Sequence, residues 1–144
     1  REGRKLSEYW AQGMRSRHGI HTRGFPNLFF AQPTQGANLI SNIPHNLTEA
    51  ALTIASVLAH ARAQQARTVE VSEEAEAEWV DLLLKSPGRM TRSPDCTPGY
   101  YNNEGKDPGP VEMLNVGYPA GAMAYFNYLR QWRESGRFEG LEFR

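Results

Sequence analysis

Residues able to do chemistry gather at a few places in this chain of 144 residues. His18 and His21 lie beside Arg15, Arg17 and Arg23. Two imidazoles so close could begin a metal site, but no neighbouring carboxylate or thiolate completes a ligand set, so the cluster reads as a solvated basic rim suited to a phosphate. Glu73, Glu74 and Glu76 crowd the start of a helical pattern, where the positive end of the helix favours them, and they read as a solvated face. Cys96, the single cysteine, has no histidine or cation beside it to stabilise a thiolate and reads as a packed thiol. The remaining place is defined by what it lacks. From Gly24 to Glu49 only His45 can titrate before Glu49, although charged residues make up 22% of the chain. That stretch leads into a helix start, whose unpaired backbone N–H groups suit a phosphate or a delocalised anion.

The elements that must position these groups follow from apolar spacing. Asn27 to Ala31 is a short continuous apolar run, the pattern of a strand buried on both faces. Gln32 to Leu39 holds a proline, a glycine and three amide side chains, too turn-rich for a helix and too uncharged for an ordinary solvated loop, so it is expected to line something. From Ile43 and Pro44 onward, Leu47, Ala50/Ala51, Ile54, Val57/Leu58 and Ala61 keep the helical period, with Asn42 as N-cap and an end near Gln64 to Ala66. The unit is strand, loop, helix, and ligands of open α/β sheets sit where such loops meet helix starts. A purely structural βα unit has the same pattern.

Before this unit, Leu6, Tyr9/Trp10 and Met14 predict a short irregular helical turn. After it, Thr68 to Val71 alternates like a strand, and Ser72 caps a helix whose buried stripe is Trp79, Leu82 and Leu83, ended by Ser86-Pro87-Gly88. Thr91 to Pro110 carries four prolines and three glycines around Tyr100-Tyr101-Asn102-Asn103, a long loop ordered by its aromatics. Pro119 to Ser135 reads as a helix with Ala122, Tyr125/Phe126, Leu129 and Trp132 on one face, stopped by Gly136. Phe138 to Phe143 alternates as a closing strand.

Sixteen basic residues balance sixteen acidic ones, so neither nucleic acid nor an anionic membrane is indicated as partner. The uncharged stretch is punctuated by Pro26, Pro33, Gly36 and Pro44, so no membrane span is expected. One cysteine and no signal-peptide pattern fit a reducing, cytoplasmic setting. The chain opens on Arg1 and lacks any G-x-G-x-x-G or P-loop, and the strands are too few to close a sheet alone. The expectation is a piece of a longer protein whose upstream remainder supplies the missing strands.

The segments REGRKLSEYWAQGMRSRHG, GFPNLFF, GANLISNIPHNLTEAA, CTPGYYNNEGK and YFNYLRQWRESGRFEGLEF together resemble the carboxy-terminal third of type I Baeyer–Villiger monooxygenases, over nearly the whole chain. The resemblance implies an α/β fold, a carboxy-terminal fragment of a flavoprotein with two dinucleotide-binding domains, mostly helical with few short strands and long ordered loops. It implies FAD and NADPH as cofactors, a small-molecule ketone and dioxygen as substrates, and an ester or lactone as product, with the fragment alone inactive. Residues 1–66 would close the FAD domain, and residues 67–144 would form a helical extension bearing a nicotinamide-side lid at 91–110. By the same resemblance Gln32, Asn42 and Ile43 approach the FAD, Thr97 and Lys106 belong to the NADP lid, and Asn38, Leu39 and Ile40 line the substrate pocket. No metal and no catalytic residue is implied within this fragment. Relatives often carry Gly-Pro where this chain has Gln32-Pro33, and a tryptophan near Thr97 where this chain has none. A flavin monooxygenase that oxidises nitrogen or sulfur, or a non-catalytic binding module, are the other classes that the sequence leaves open.

Overall fold

Asn42, with φ of −59° and ψ of 120°, accepts the His45 N–H on its side chain at 3.4 Å, and with Pro44 in the first turn it starts the longest element, α2 (Ile43–Ala63). The computed structural model describes residues 3–32, 34–37, 41–85, 97–99, 104–106, 109, 111 and 114–144. In chain order its elements are α1 (Leu6–Tyr9), α2, β1 (Val69–Val71), α3 (Glu73–Leu84), α4 (Ala122–Glu134) and β2 (Leu141–Phe143). The expected mostly helical chain with few short strands is what folds. Among the described residues no helix is long and apolar enough to cross a membrane.

The two strands pair antiparallel, with Val69 opposite Phe143, Glu70 opposite Glu142 and Val71 opposite Leu141. Facing carboxylates would repel, and the Arg23 guanidinium lies 3.9 Å from Glu70 and 3.5 Å from Glu142 to offset this. Ser72 caps α3 as expected, accepting from Ala75 N–H at 3.1 Å. The last helix begins after Gly121, whose φ of 86° admits no other residue cheaply, and so starts later than Pro119. Its expected face, Tyr125, Phe126, Leu129 and Trp132, is buried.

The core has two parts. Ile20, Ala37, Ala50, Trp79, Leu83, Val116, Tyr125, Phe126 and Leu129 form one, and Val57, Ala61, Val69, Trp132 and Phe138 form the other. Phe29 packs against both. Helices α2 and α4 are joined by a buried ion pair, Arg133 to Glu49 at 2.8 Å, and Arg133 also donates to the Thr53 hydroxyl at 2.9 Å.

Several sequence expectations are corrected. Residues 27–31 form no regular strand: Phe29 makes a single bridge to His21, Phe30 N–H donates to the Ile20 carbonyl at 2.9 Å, and Leu28 is exposed. Their neighbour is a tight hairpin, Arg17 to His21, with φ of 61° at His18 and 71° at Gly19, too short to offer a ladder. The buried face of α2 is Asn46, Glu49, Ala50, Thr53, Val57 and Ala61, whereas Leu47 and Leu58 of the expected stripe are exposed. Arg133 turns the helix this way by drawing Glu49 and Thr53 inward. On α3, Leu82 is exposed, and Ala75, Glu76 and Val80 join Trp79 and Leu83 inside.

Candidate functional site

The start of α2 is the first part of the site. Pro44 has no N–H, and Asn42 takes that of His45, so the open amides of the turn are those of Asn42 and Ile43, which meet no acceptor among the described residues. Ile43 is 37% exposed, and the turn faces outward rather than into the core. Ser41 fixes the approach by donating to the buried Asn46 amide oxygen at 2.6 Å, and the His45 ring sets its edge against Phe126 at 4.5 Å. Two neighbouring donors at the positive end of a helix of 21 residues can hold a carbonyl or a delocalised anion of a planar ring. Gln32 is held on another side, its amide nitrogen 3.4 Å from the Met14 sulfur. Asn38, Leu39 and Ile40 lie outside the described residues.

Gln35, in the loop between Gln32 and Asn42, is wholly buried. Its amide donates to the Met14 carbonyl at 2.7 Å and the Leu114 carbonyl at 3.0 Å, and its amide oxygen accepts from the Ser16 hydroxyl at 2.5 Å. Gly36, next to it, lies where a Cβ would stand 2.7 Å from the Tyr125 ring, so only glycine fits beside that side chain.

The second part is the loop carrying Thr97 and Lys106. Its described ends fold back on each other: Glu104 N–H donates to the Gly99 carbonyl at 3.0 Å, and Pro98 packs on Gly105, whose added Cβ would meet the proline ring at 3.0 Å. Thr97 and Lys106 are exposed, one in each of the two described stretches, 97–99 and 104–106. Asn42 and Ile43 stand together at the helix start, whereas Gln32 packs against Met14. Cys96 lies outside the described residues.

The basic cluster is not a solvated rim. His18, His21 and Arg17 are buried. His18 sits edge-on to Trp79, Tyr128 and Trp132 at centroid distances of 4.9, 5.2 and 4.9 Å, with its Nε2 3.0 Å from the Tyr128 hydroxyl. Burial holds His18 well below the ordinary histidine range, helped by the Arg17 charge and by His21, and burial with the Arg17 charge brings His21 down to about 3. Both rings are neutral at physiological pH. Among the described residues Arg17 Nε, His18 Nδ1 and His21 Nε2 meet no hydrogen-bond partner.

Glu76 is equally misread as solvated. Its carboxylate accepts from the Tyr9 hydroxyl, from Arg23 N–H at 2.7 Å and from the Thr22 hydroxyl at 3.3 Å, with Arg15 at 3.6 Å. Burial and the Glu76 carboxylate push the Tyr9 hydroxyl up to about 12. The signal was available, since Glu76 shares helical spacing with Trp79, Val80 and Leu83. Gln35 left no such signal, because its role depends on carbonyls of Met14 and Leu114 far away in sequence.

No protein-family model matches the chain. It is 41% identical over 145 residues to pentalenolactone D synthase of Streptomyces arenae, covering 100% of this chain and 24% of that protein. It is 39% identical over 145 residues to a Baeyer-Villiger monooxygenase of Streptomyces coelicolor, covering 98% and 23%. With a FAD-binding monooxygenase of Hypomyces subiculosus it shares 35% over 143 residues, covering 99% and 23%. The chain spans about a quarter of the length of the curated relatives it matches. Among solved structures it superposes on a polycyclic ketone monooxygenase from Thermothelomyces thermophila with a TM-score of 0.84 and 29% identity, over 100% of this chain and 23% of that one. An oxidized steroid monooxygenase bound to NADP gives a TM-score of 0.75 at 23% identity, over 99% and 25%, a likeness of fold. The resemblance read from GFPNLFF and CTPGYYNNEGK is borne out.

Proposed function

We propose that this chain, which is homologous along its whole length to Baeyer-Villiger and FAD-binding monooxygenases, works as the carboxy-terminal quarter of an enzyme that inserts one oxygen atom from dioxygen beside a ketone carbonyl. The product is an ester or lactone, and the cofactors are FAD and NADPH. The observation that carries this reading is the similarity spanning all of the chain, matched in space at a TM-score of 0.84. On this reading residues 1–66 complete the FAD domain and residues 67–144 form the extension, in a cytoplasmic setting. FAD, when bound, supplies the activation of dioxygen, and NADPH supplies the reducing equivalents.

The residues of this chain bind and orient. Asn42 and Ile43 offer their open N–H groups to the electron-rich carbonyl edge of the flavin ring, where the helix end favours the negative charge of its reduced form. Gln32 and the uncharged loop after it flank the ring and exclude water, with Asn38, Leu39 and Ile40 toward the ketone. Thr97 and Lys106 hold the nicotinamide side, where the ammonium can meet a phosphate. The exposed apolar residues Ile43, Leu47 and Leu58 support the reading, because they give α2 a face for the rest of the enzyme to cover.

Mass spectrometry of products from the full-length protein with FAD, NADPH and a panel of ketones tests the proposal. Products heavier than the starting ketone by one oxygen atom and identified as esters or lactones are expected. Oxidation confined to amines and sulfides, or no oxygenation of any substrate, would overturn it.

A further inference from the structure

We propose that Tyr128 and His18 form a redox-active pair: a one-electron vacancy made on the aromatic cluster between α3 and α4 settles on Tyr128, whose phenol proton passes to His18.

Oxidisable rings touch one another through this part of the core. Tyr118 stacks on Trp79 at a centroid distance of 5.5 Å with 20° between the planes, and on Tyr128 at 6.0 Å with 23°. Trp79 also lies 5.8 Å from Tyr128, and Tyr125 lies 6.0 Å from Tyr118. Rings packed this closely let an electron vacancy on one of them pass to the others. Where it stays depends on the proton, because an oxidised phenol is a strong acid and is stabilised by a base within hydrogen-bond reach.

The described tyrosines differ in what their hydroxyls meet. That of Tyr118 has no partner among the described residues. That of Tyr125 donates to the His18 carbonyl at 2.6 Å, and Trp79 Nε1 donates to the Gln35 carbonyl at 3.2 Å; a carbonyl accepts a hydrogen bond but does not take the proton. Tyr9 has a base in the Glu76 carboxylate, yet its ring neighbour is Phe25 at 6.1 Å, which is not readily oxidised. Tyr128 alone among the described tyrosines has both parts, a place in the stack and an imidazole nitrogen 3.0 Å from its hydroxyl.

Burial keeps the His18 ring neutral, so a lone pair is open at Nε2, and burial pushes the Tyr128 hydroxyl up, with the Arg17 charge opposing, so the phenol keeps its proton until it is oxidised. The phenol meets no other acceptor among the described residues, which assigns its O–H to Nε2 and the ring hydrogen to Nδ1. A one-electron radical oxidant in solution gains an electron from Trp79 or Tyr118, and Tyr128 then returns an electron to that ring. As it does so its O–H bond breaks and an N–H bond forms at Nε2, giving a neutral phenoxyl radical and an imidazolium. Burial and the Arg17 charge make that imidazolium costly, so the proton goes back to the oxygen once a thiol or another soluble reductant restores the electron. In an enzyme that brings dioxygen to a flavin, the pair would draw stray one-electron oxidation away from the site, a use that rests on the proposed function.

The test oxidises the full-length, FAD-loaded protein with azide radicals, made by pulse radiolysis, in the presence of a nitroso spin trap, and locates the adducts by peptide mass spectrometry. In the wild type the adduct at Tyr128 is expected to exceed those at Tyr118 and Tyr125 at least several-fold, although Tyr118 is half-buried like Tyr128. Tyr128→Phe keeps the stacked ring and removes the phenol, and adducts at Trp79 and Tyr118 should then rise several-fold. His18→Phe keeps a ring against Trp79 and Trp132 and removes the base, and should bring the Tyr128 adduct down to the level at Tyr118. The proposal is overturned by a Tyr128 adduct no greater than that at Tyr118 in the wild type, by unchanged adducts at Trp79 and Tyr118 in Tyr128→Phe, or by a Tyr128 adduct fully retained in a folded His18→Phe. The wild type and Tyr128→Phe keep the test decisive even where His18→Phe fails to fold. None of these outcomes depends on whether the enzyme oxygenates a ketone, so failure here leaves the proposed function standing.

Discussion

The two buried histidines make the fold sensitive to mild acid. In the unfolded chain a histidine titrates near 6.5, whereas burial and the Arg17 charge hold His21 at about 3 and His18 well below the ordinary range. Below pH 6.5 the unfolded state therefore binds protons that the folded state refuses. The stability due to the neutral rings is fully present above 6.5 and is lost as pH falls from there toward 3. Each ring removes about 1.4 kcal/mol per pH unit inside that window, so two rings remove roughly 3 kcal/mol between pH 7.5 and 5.5. With a urea dependence of about 1–3 kcal/mol per molar, the unfolding midpoint drops by about 1–3 M. Circular dichroism along urea titrations at pH 7.5, 6.5 and 5.5 measures it. His21→Phe keeps an aromatic ring against Phe29 and Trp132 and should lose about half of the pH dependence. His45 and His60 are present in both proteins, so the comparison isolates His21. Equal pH dependence in wild type and His21→Phe, or a midpoint that does not move above pH 5.5, would refute the reasoning.

Arg133→Ala leaves the Glu49 carboxylate buried without its partner and should cost about 3–5 kcal/mol by thermal or urea unfolding, with the double variant Glu49→Gln, Arg133→Met recovering part of it. Gly36→Ala drives a methyl into the Tyr125 ring, which is fixed by its hydrogen bond to the His18 carbonyl at 2.6 Å, and should destabilise by about 1–3 kcal/mol. The loss should be less than additive with Tyr125→Phe in a double-mutant cycle. If the helix start faces the flavin as proposed, Asn42→Asp in the full-length protein adds a carboxylate near the reduced ring, and redox titration should show a lower flavin potential than in the wild type. An unchanged potential would mean that this turn does not face the ring.

Sequence reading succeeded where the cause is local. Asn42 and Ser72 cap helices because a short acceptor side chain there reaches the amide three residues on, and the alternation read at Thr68 to Val71 and Phe138 to Phe143 contains the paired strands Val69–Val71 and Leu141–Phe143, although Phe138, with a φ of 48°, lies outside the strand. The segments that carried the family resemblance were equally legible. Burial of charge was not, because it depends on what other elements bring. Glu76 goes inside because Tyr9, Thr22, Arg15 and Arg23 converge on it from the opening segment, and His18 because three aromatic rings from α3 and α4 enclose it. The apolar run at Leu28 to Ala31 misled for a related reason, since a run of large side chains states a demand for burial and does not supply the neighbour that would make a ladder.

The rotation of α2 joins these observations to the proposed function. At about 100° per residue, Ile43, Leu47, Ile54 and Leu58 fall within about 60° of one another, next to the arc that Glu49, Thr53 and Val57 bury against α4. Sequence spacing could not choose between the two arcs, because the apolar one is the better core. Arg133 pairs with Glu49 and Thr53 on the buried side, which leaves Ile43, Leu47 and Leu58 exposed while Ile54 packs at the edge of this core. An ion pair used in this way sets orientation rather than adding stability, since a well-packed apolar pair could have done the latter at less desolvation cost. The same rotation fixes where the open amides of Asn42 and Ile43 point, because a helix turned about its axis carries its first turn with it. The buried pair at Glu49 and the proposed flavin contact at Asn42 and Ile43 thus lie within the first two turns of one helix, and the exposed Ile43, Leu47 and Leu58 are the surface by which that helix would be held to the rest of the enzyme.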